Sequence, residues 1–132
     1  MIDAKKLTKN KAGIAAVELL DMAFNQRKVN EAFERYVGPP YTQHNLQVPD
    51  GIEGALAGIP GLLLAMPNLR YDFKRVLVDG DLVAIHSHIT NGPADRGTAV
   101  VDIFRVAKGK IVEHWDVLQP VPENAANSNT MF

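Results

Sequence analysis

The spacing of apolar residues changes once along the chain, near Asn68, and that change limits the architectures open to it. Between Thr8 and Asn25, Ile14, Val17, Leu20 and Phe24 recur three or four positions apart, which draws one stripe down a helix that must pack on something. The segment VNEAFERYVGPPY predicts a short second helix with Ala32, Phe33 and Tyr36 inward, stopped by Gly38, Pro39 and Pro40. PDGIEGALAGIPGLLLAMP predicts a third, weakened by its glycines and Pro60 and finished before Pro67. Beyond Asn68 the period is two. LRYDFKRVLVDGDLVAIHSHITNG forms two β-branched and aromatic runs around Asp79-Gly80, a dipeptide favoured where both central residues of a tight hairpin need positive φ. GTAVVDIFRVAKGKIVEHWDVL predicts a second hairpin turning at Ala107, Lys108 and Gly109. Helices first and a meander afterwards predict an α+β fold: a curved antiparallel sheet with the N-terminal helices packed on one face.

A chain of 132 residues suits one core, expected over residues 1–120, with a small, polar, proline-bearing tail at 121–132 that could lie against a second subunit. Composition narrows the partners. The chain is 46% hydrophobic and 22% charged, which matches soluble globular domains and not collagenous, disordered or membrane chains. Its formal net charge of -1 offers no electrostatic footprint for nucleic acid or an anionic membrane surface, so the expected partner is a small molecule. Cysteine is absent, which excludes disulfide frameworks and thiolate metal sites. GIPGLLLAM is too short and too broken to span a bilayer, and no basic segment precedes an apolar run at the N-terminus, so the expected location is cytoplasmic.

Within IVEHWDVLQP, His114, Trp115 and Asp116 interrupt an otherwise apolar strand, and their meaning depends on hairpin register. If Ala107, Lys108 and Gly109 form a three-residue loop, even-numbered positions share a face: Val100, Asp102, Phe104 and Val106 opposite Val112, His114, Asp116 and Leu118. A two-residue Lys108-Gly109 turn would instead pair Asp102 with Trp115 and put Asp116 on the other side. Glycine in third place favours the first arrangement. His86 and His88 are two apart and share a strand face opposite Val83, Ile85 and Ile89, and His44 lies in YTQHN before the sheet. The His-x-His pair lacks a third ligand at a recognisable spacing, so no metal is expected. The bland alternative puts Asp102 and Asp116 on a solvated sheet face. Val101, Ile103, Trp115 and Val117 make the outer face too apolar for water, which predicts a homodimer through that face.

The N-terminal helix, the YTQHN segment and above all VVDIFRVAKGKIVEHWDVLQ resemble the SnoaL-like polyketide cyclases of the nuclear transport factor 2-like superfamily, over about Lys11 to Gln119. The resemblance implies a cone-shaped α+β fold in which a bent sheet and the N-terminal helices, on its concave face, enclose one deep apolar pocket. It also implies that Asp116 stands where those cyclases hold the general acid/base of an intramolecular aldol ring closure. Asp102 stands where the characterised cyclases place a histidine, a departure that changes the charge of the pocket. His86 and His88 resemble a subgroup assigned only by similarity to aldol condensation.

The chemistry can be argued from the residues as well. Aldol closure needs a proton removed from carbon beside a carbonyl, and then a proton delivered to the new alkoxide. A carboxylate in water is a weak base for such carbon; burial and a neighbouring carboxylate raise its pKa, and imidazole nearby lowers it. Asp116, Asp102, His88 and His114 are the expected catalytic set, with Tyr41, His44, His86 and Phe104 contacting substrate and no cofactor required. The leading expectation is an aldol-type cyclase, lyase or isomerase acting on a carbonyl compound. The alternative is a non-catalytic domain that binds a small apolar ligand, although a mere binder has little reason to desolvate so many ionisable groups.

Overall fold

Asn10 opens the first helix, α1 (Lys11–Leu20), by accepting the N–H groups of Ala12 and Gly13 at 2.8 and 3.2 Å, which satisfies donors that a first turn leaves free. In this computed structural model, which describes residues 2–132, α1 continues into a π-helical turn, Asp21–Asn25. The turn is pinned from both sides. The buried Asp21 carboxylate accepts from Asn25 Nδ2 and Gln26 Nε2, each at 2.8 Å, and from Ile2 N at 3.2 Å. Asn25 also bonds both the N–H and the C=O of Tyr71, at 2.8 and 3.1 Å, docking the turn on the sheet. Ala32, Phe33 and Tyr36 of α2 (Val29–Tyr36) face inward as their spacing predicts.

The chain then does something the sequence reading missed: Val37–Gln43 is a strand, β1, and not merely a helix stop. Pro39 and Pro40 are tolerated because β1 is an edge strand, hydrogen-bonded on one side only. Next comes α3 (Gly51–Ala65), capped by Asp50, which accepts Gly51 N at 2.9 Å. Gly54 is required there, since a Cβ would come within 2.2 Å of the Pro49 carbonyl oxygen. The helix passes through Pro60 and ends before Pro67.

The remaining strands are β2 (Leu69–Asp79), β3 (Leu82–Asn91), β4 (Thr98–Ala107) and β5 (Lys110–Pro120), in the sheet order β1-β5-β4-β3-β2. β1 runs parallel to β5 and the other neighbours are antiparallel, so the sheet is mixed rather than wholly antiparallel, and it is open. The fold is α+β, with the helices packed over one sheet face. Val83, Ile85, Val100, Phe104 and Ile111 form the buried floor under them. Among the described residues no helix is long and apolar enough to cross a membrane.

Both hairpin turns differ from expectation in detail. The first has Gly80 and Asp81 at its centre, with positive φ (59°) at Gly80 and not at Asp81, the pattern of a type II′ turn. The second is a two-residue turn, Lys108-Gly109, both at positive φ (52° and 76°), as a type I′ turn demands. That turn alone would pair Asp102 with Trp115. Instead Val106 pairs with Ile111 and Arg105 with Glu113, leaving Val112 as an extra residue. This bulge sets Asp102 opposite Asp116 and Phe104 opposite His114, so the even positions share a face as the three-residue loop would have had them. Straightening it would turn Glu113 toward the core; with it, Ile111 and Val112 are both buried and Glu113 stays outside, bonded to Arg105 and His44.

Candidate active site

Alternation now decides which side chains meet. On the face under the helices, β5 presents His114 and Asp116, β4 presents Asp102 and Phe104, and β1 presents Tyr41 and Gln43. They line a cavity of about 220 Å³ roofed by Leu19, Leu20 and Phe24 from the first helical segment, with Ile59 and Leu62 from α3. The polar groups gather at one end. His114 Nε2 lies 2.8 Å from Asp102 Oδ1 and 4.0 Å from Asp116 Oδ2. His114 Nδ1 lies 2.8 Å from Gln43 Oε1, and Asn45 Nδ2 donates to Asp116 Oδ2 at 3.0 Å.

Burial dominates the electrostatics. Asp102 is 1% exposed, and desolvation raises its carboxyl above the usual value, with Asp116 adding to the rise while the hydrogen bond and charge of His114 oppose it. Its Oδ2 is buried without a protein partner. The phenols of Tyr41 and Tyr71 are pushed up by burial and by the charges of Asp102 and Asp116, so both stay protonated as donors. Asp102, His114 and Asp116 also offer three metal-ligating atoms within 4.8 Å of one another. A cation there would have to displace the hydrogen that links His114 to Asp102, so proton and metal compete for one place.

Of the residues expected in the site, Asp102, Asp116, His114, Tyr41 and Phe104 line the cavity. The other three histidines do not join them. His86 and His88 pair with Val101 and Ala99 on the outer face, because their neighbours along β3, Ile85 and Ser87, take the inner one. There, His86 contacts Arg75, His88 Nε2 bonds the Arg96 carbonyl at 2.8 Å, and the Phe132 ring stacks on both imidazoles. The tail thus folds back on its own sheet. His44 also points outward, stacked on Trp115 with a 4.8 Å centroid separation and bonded to Glu113 at 2.6 Å. His88 is therefore corrected as a catalytic candidate, and His44 and His86 as substrate contacts. Gln43, Asn45 and Tyr71 line the cavity and went unnoticed in the sequence. The signal for two of them was present: in YTQHN, Tyr41, Gln43 and Asn45 alternate with Thr42 and His44, as one strand face alternates with the other.

A mixed sheet, helices closing one face and a polar cluster at the end of an apolar chamber define an α+β domain built around one enclosed pocket. The SnoaL-like domain family matches residues 16–114, and the chain belongs to that family. Solved structures agree in fold. A proposed polyketide cyclase from Bacillus cereus superposes with a TM-score of 0.70 at 22% identity, covering 86% of this chain and 80% of that one. A proposed isomerase of the SnoaL-like family from Agrobacterium tumefaciens gives 0.71 at 15% identity, over 83% and 97%. AclR of Streptomyces galilaeus, a proposed hydroxylase, gives 0.67 at 19% identity, over 83% and 89%. No curated protein sequence matches the chain.

Proposed function

We propose that this chain is a cofactor-independent enzyme in which Asp116 acts as general acid/base on a carbonyl compound, in an intramolecular aldol cyclisation or a related isomerisation. The observation that carries this reading is the setting of Asp116. Its side chain, 13% exposed, stands at the polar end of an apolar chamber, oriented by Asn45 and 4.0 Å from an imidazole nitrogen. In this scheme Asp116 takes the proton from carbon, and the phenol of Tyr41 or Tyr71 donates to the oxygen on which charge develops. Similarity to proteins proposed as cyclases and isomerases supports the reaction class. Fold alone hosts many chemistries, so the site has to supply the argument. Replacing Asp116 by Asn is expected to lower turnover on a panel of β-dicarbonyl substrates by about 10²- to 10⁴-fold; unchanged rates would remove Asp116 from the mechanism.

We also infer a homodimer formed through the outer sheet face. Val117 is 68% exposed there, and Val101, Ile103 and Trp115 are only partly covered. Such a row of apolar side chains on one sheet face suits a second copy better than water.

A further inference from the structure

Gln43 does more than hold His114 in place. Its Oε1 accepts the main-chain N–H of Asn45 at 2.9 Å, and turning the amide over would set an NH₂ group against that N–H. The oxygen therefore faces His114 as well, 2.8 Å from Nδ1. A carbonyl oxygen bonds a ring nitrogen only when that nitrogen carries the hydrogen, so Nδ1 of His114 is protonated. On the other side of the ring, Nε2 and Asp102 Oδ1 are 2.8 Å apart. If neither carried a proton, two lone pairs would face each other inside the core. One proton must therefore lie between them, whether it is drawn on the carboxyl or on the imidazole, and in both drawings the pair has no net charge. The unpartnered Oδ2 of Asp102 supports the neutral drawing, since a buried carboxylate oxygen without a donor is costly.

The groups facing this pair are the phenols of Tyr41 on β1 and Tyr71 on β2, the carboxylate of Asp116 on β5, and apolar side chains from α1 and the π turn. Among the described cavity residues, Asp116 is then the one group left with an uncompensated charge. We propose that Asp102 is a positioning residue that keeps a proton shared with His114, so that the chamber carries a single negative charge and selects a neutral carbonyl compound over an anion of the same shape. The cavity of about 220 Å³ suits one ring bearing a short substituent, since about 150 Å³ accommodates benzene. This inference rests on the reading of the chamber as a small-molecule site.

Acetophenone and benzoate, matched in size and shape, make the probes. Added to isotope-labelled protein at pH 7, acetophenone is expected to move the amide resonances of the cavity strands, with benzoate binding at least about tenfold more weakly. Asp102→Asn exchanges one uncharged pair for another and should leave that ratio unchanged, whereas Asp116→Asn should raise benzoate affinity about tenfold. A gain in benzoate affinity from Asp102→Asn alone, or the absence of any shift with acetophenone, overturns the proposal. Should Asp102→Asn not fold, the nitrogen-15 spectrum of wild-type His114 decides. A proton on Nδ1 supports the shared-proton pair, and a proton on Nε2 alone refutes it. None of these readouts is turnover, so an active Asp116→Asn enzyme would sink the acid/base reading without touching the charge assignment.

Discussion

Asp21 and Asp102 are both buried aspartates, yet their carboxyls move in opposite directions. Burial works to raise both; at Asp21, hydrogen bonds from Asn25, Gln26 and Ile2 outweigh it and hold the carboxyl below 3.8. At Asp102 the hydrogen bond and charge of His114 do not, and the carboxyl rises above 3.8. The signs of their contributions to stability therefore differ. Asp21 stabilises the fold above its ordinary titration range and loses that contribution as pH falls through its lowered folded value. Asp102 binds its proton more tightly folded than unfolded, so its contribution is full below 3.8 and declines as pH rises toward its folded value. Urea denaturation across pH should show Asp21→Asn weakened at neutral pH, by about 1–3 kcal/mol, with less acid lability than wild type. Asp102→Asn should gain on wild type as pH rises above 4 or so. A constant difference between wild type and Asp102→Asn over that range would contradict the raised carboxyl.

Two elements governed what the sequence made visible. The long hairpin was legible from its alternation, but its faces were not, because they depend on turn length and bulge together. A two-residue turn and one extra residue at Val112 give the same facing as a three-residue loop. The bulge wins because it buries Ile111 and Val112 and leaves Glu113 at the surface between Arg105 and His44. Deleting Val112 removes the bulge and the extra residue together, so the pairing of Arg105 with Glu113 and the place of Asp116 in the chamber should be kept. The expected cost is the buried side chain, about 1.5–3 kcal/mol in denaturation, with acetophenone-induced shifts retained. Their loss in a folded deletion variant would mean that the shortened strand pairs with the opposite parity, against this register. β1 was harder to see, since its two prolines signal a helix stop and its pairing is parallel to a strand about seventy residues away. Recognising it would have placed Gln43 inward and His44 outward at once.

At the scale of the molecule, the outer face predicts association. Sedimentation at micromolar concentration should give twice the mass of the 14.5 kDa chain, and Val117→Glu should return it to one; a wild-type monomer would refute the inferred homodimer. Local patterning was enough to establish the three helices and the four strands beyond Asn68, the inward stripe at Val17, Leu20 and Phe24, and the shared face of His86 and His88, because residue period depends on backbone geometry over a few positions. Which side of the sheet received each imidazole was decided elsewhere. It depended on the register of β3 against β4 across the irregular connection at residues 92–97, on the bulge at Val112, and on the face the helices happened to cover. Of four histidines, only His114 reached the chamber, since a one-residue change of parity sends a side chain to the opposite face, and parity is a long-range property that no short stretch of sequence contains.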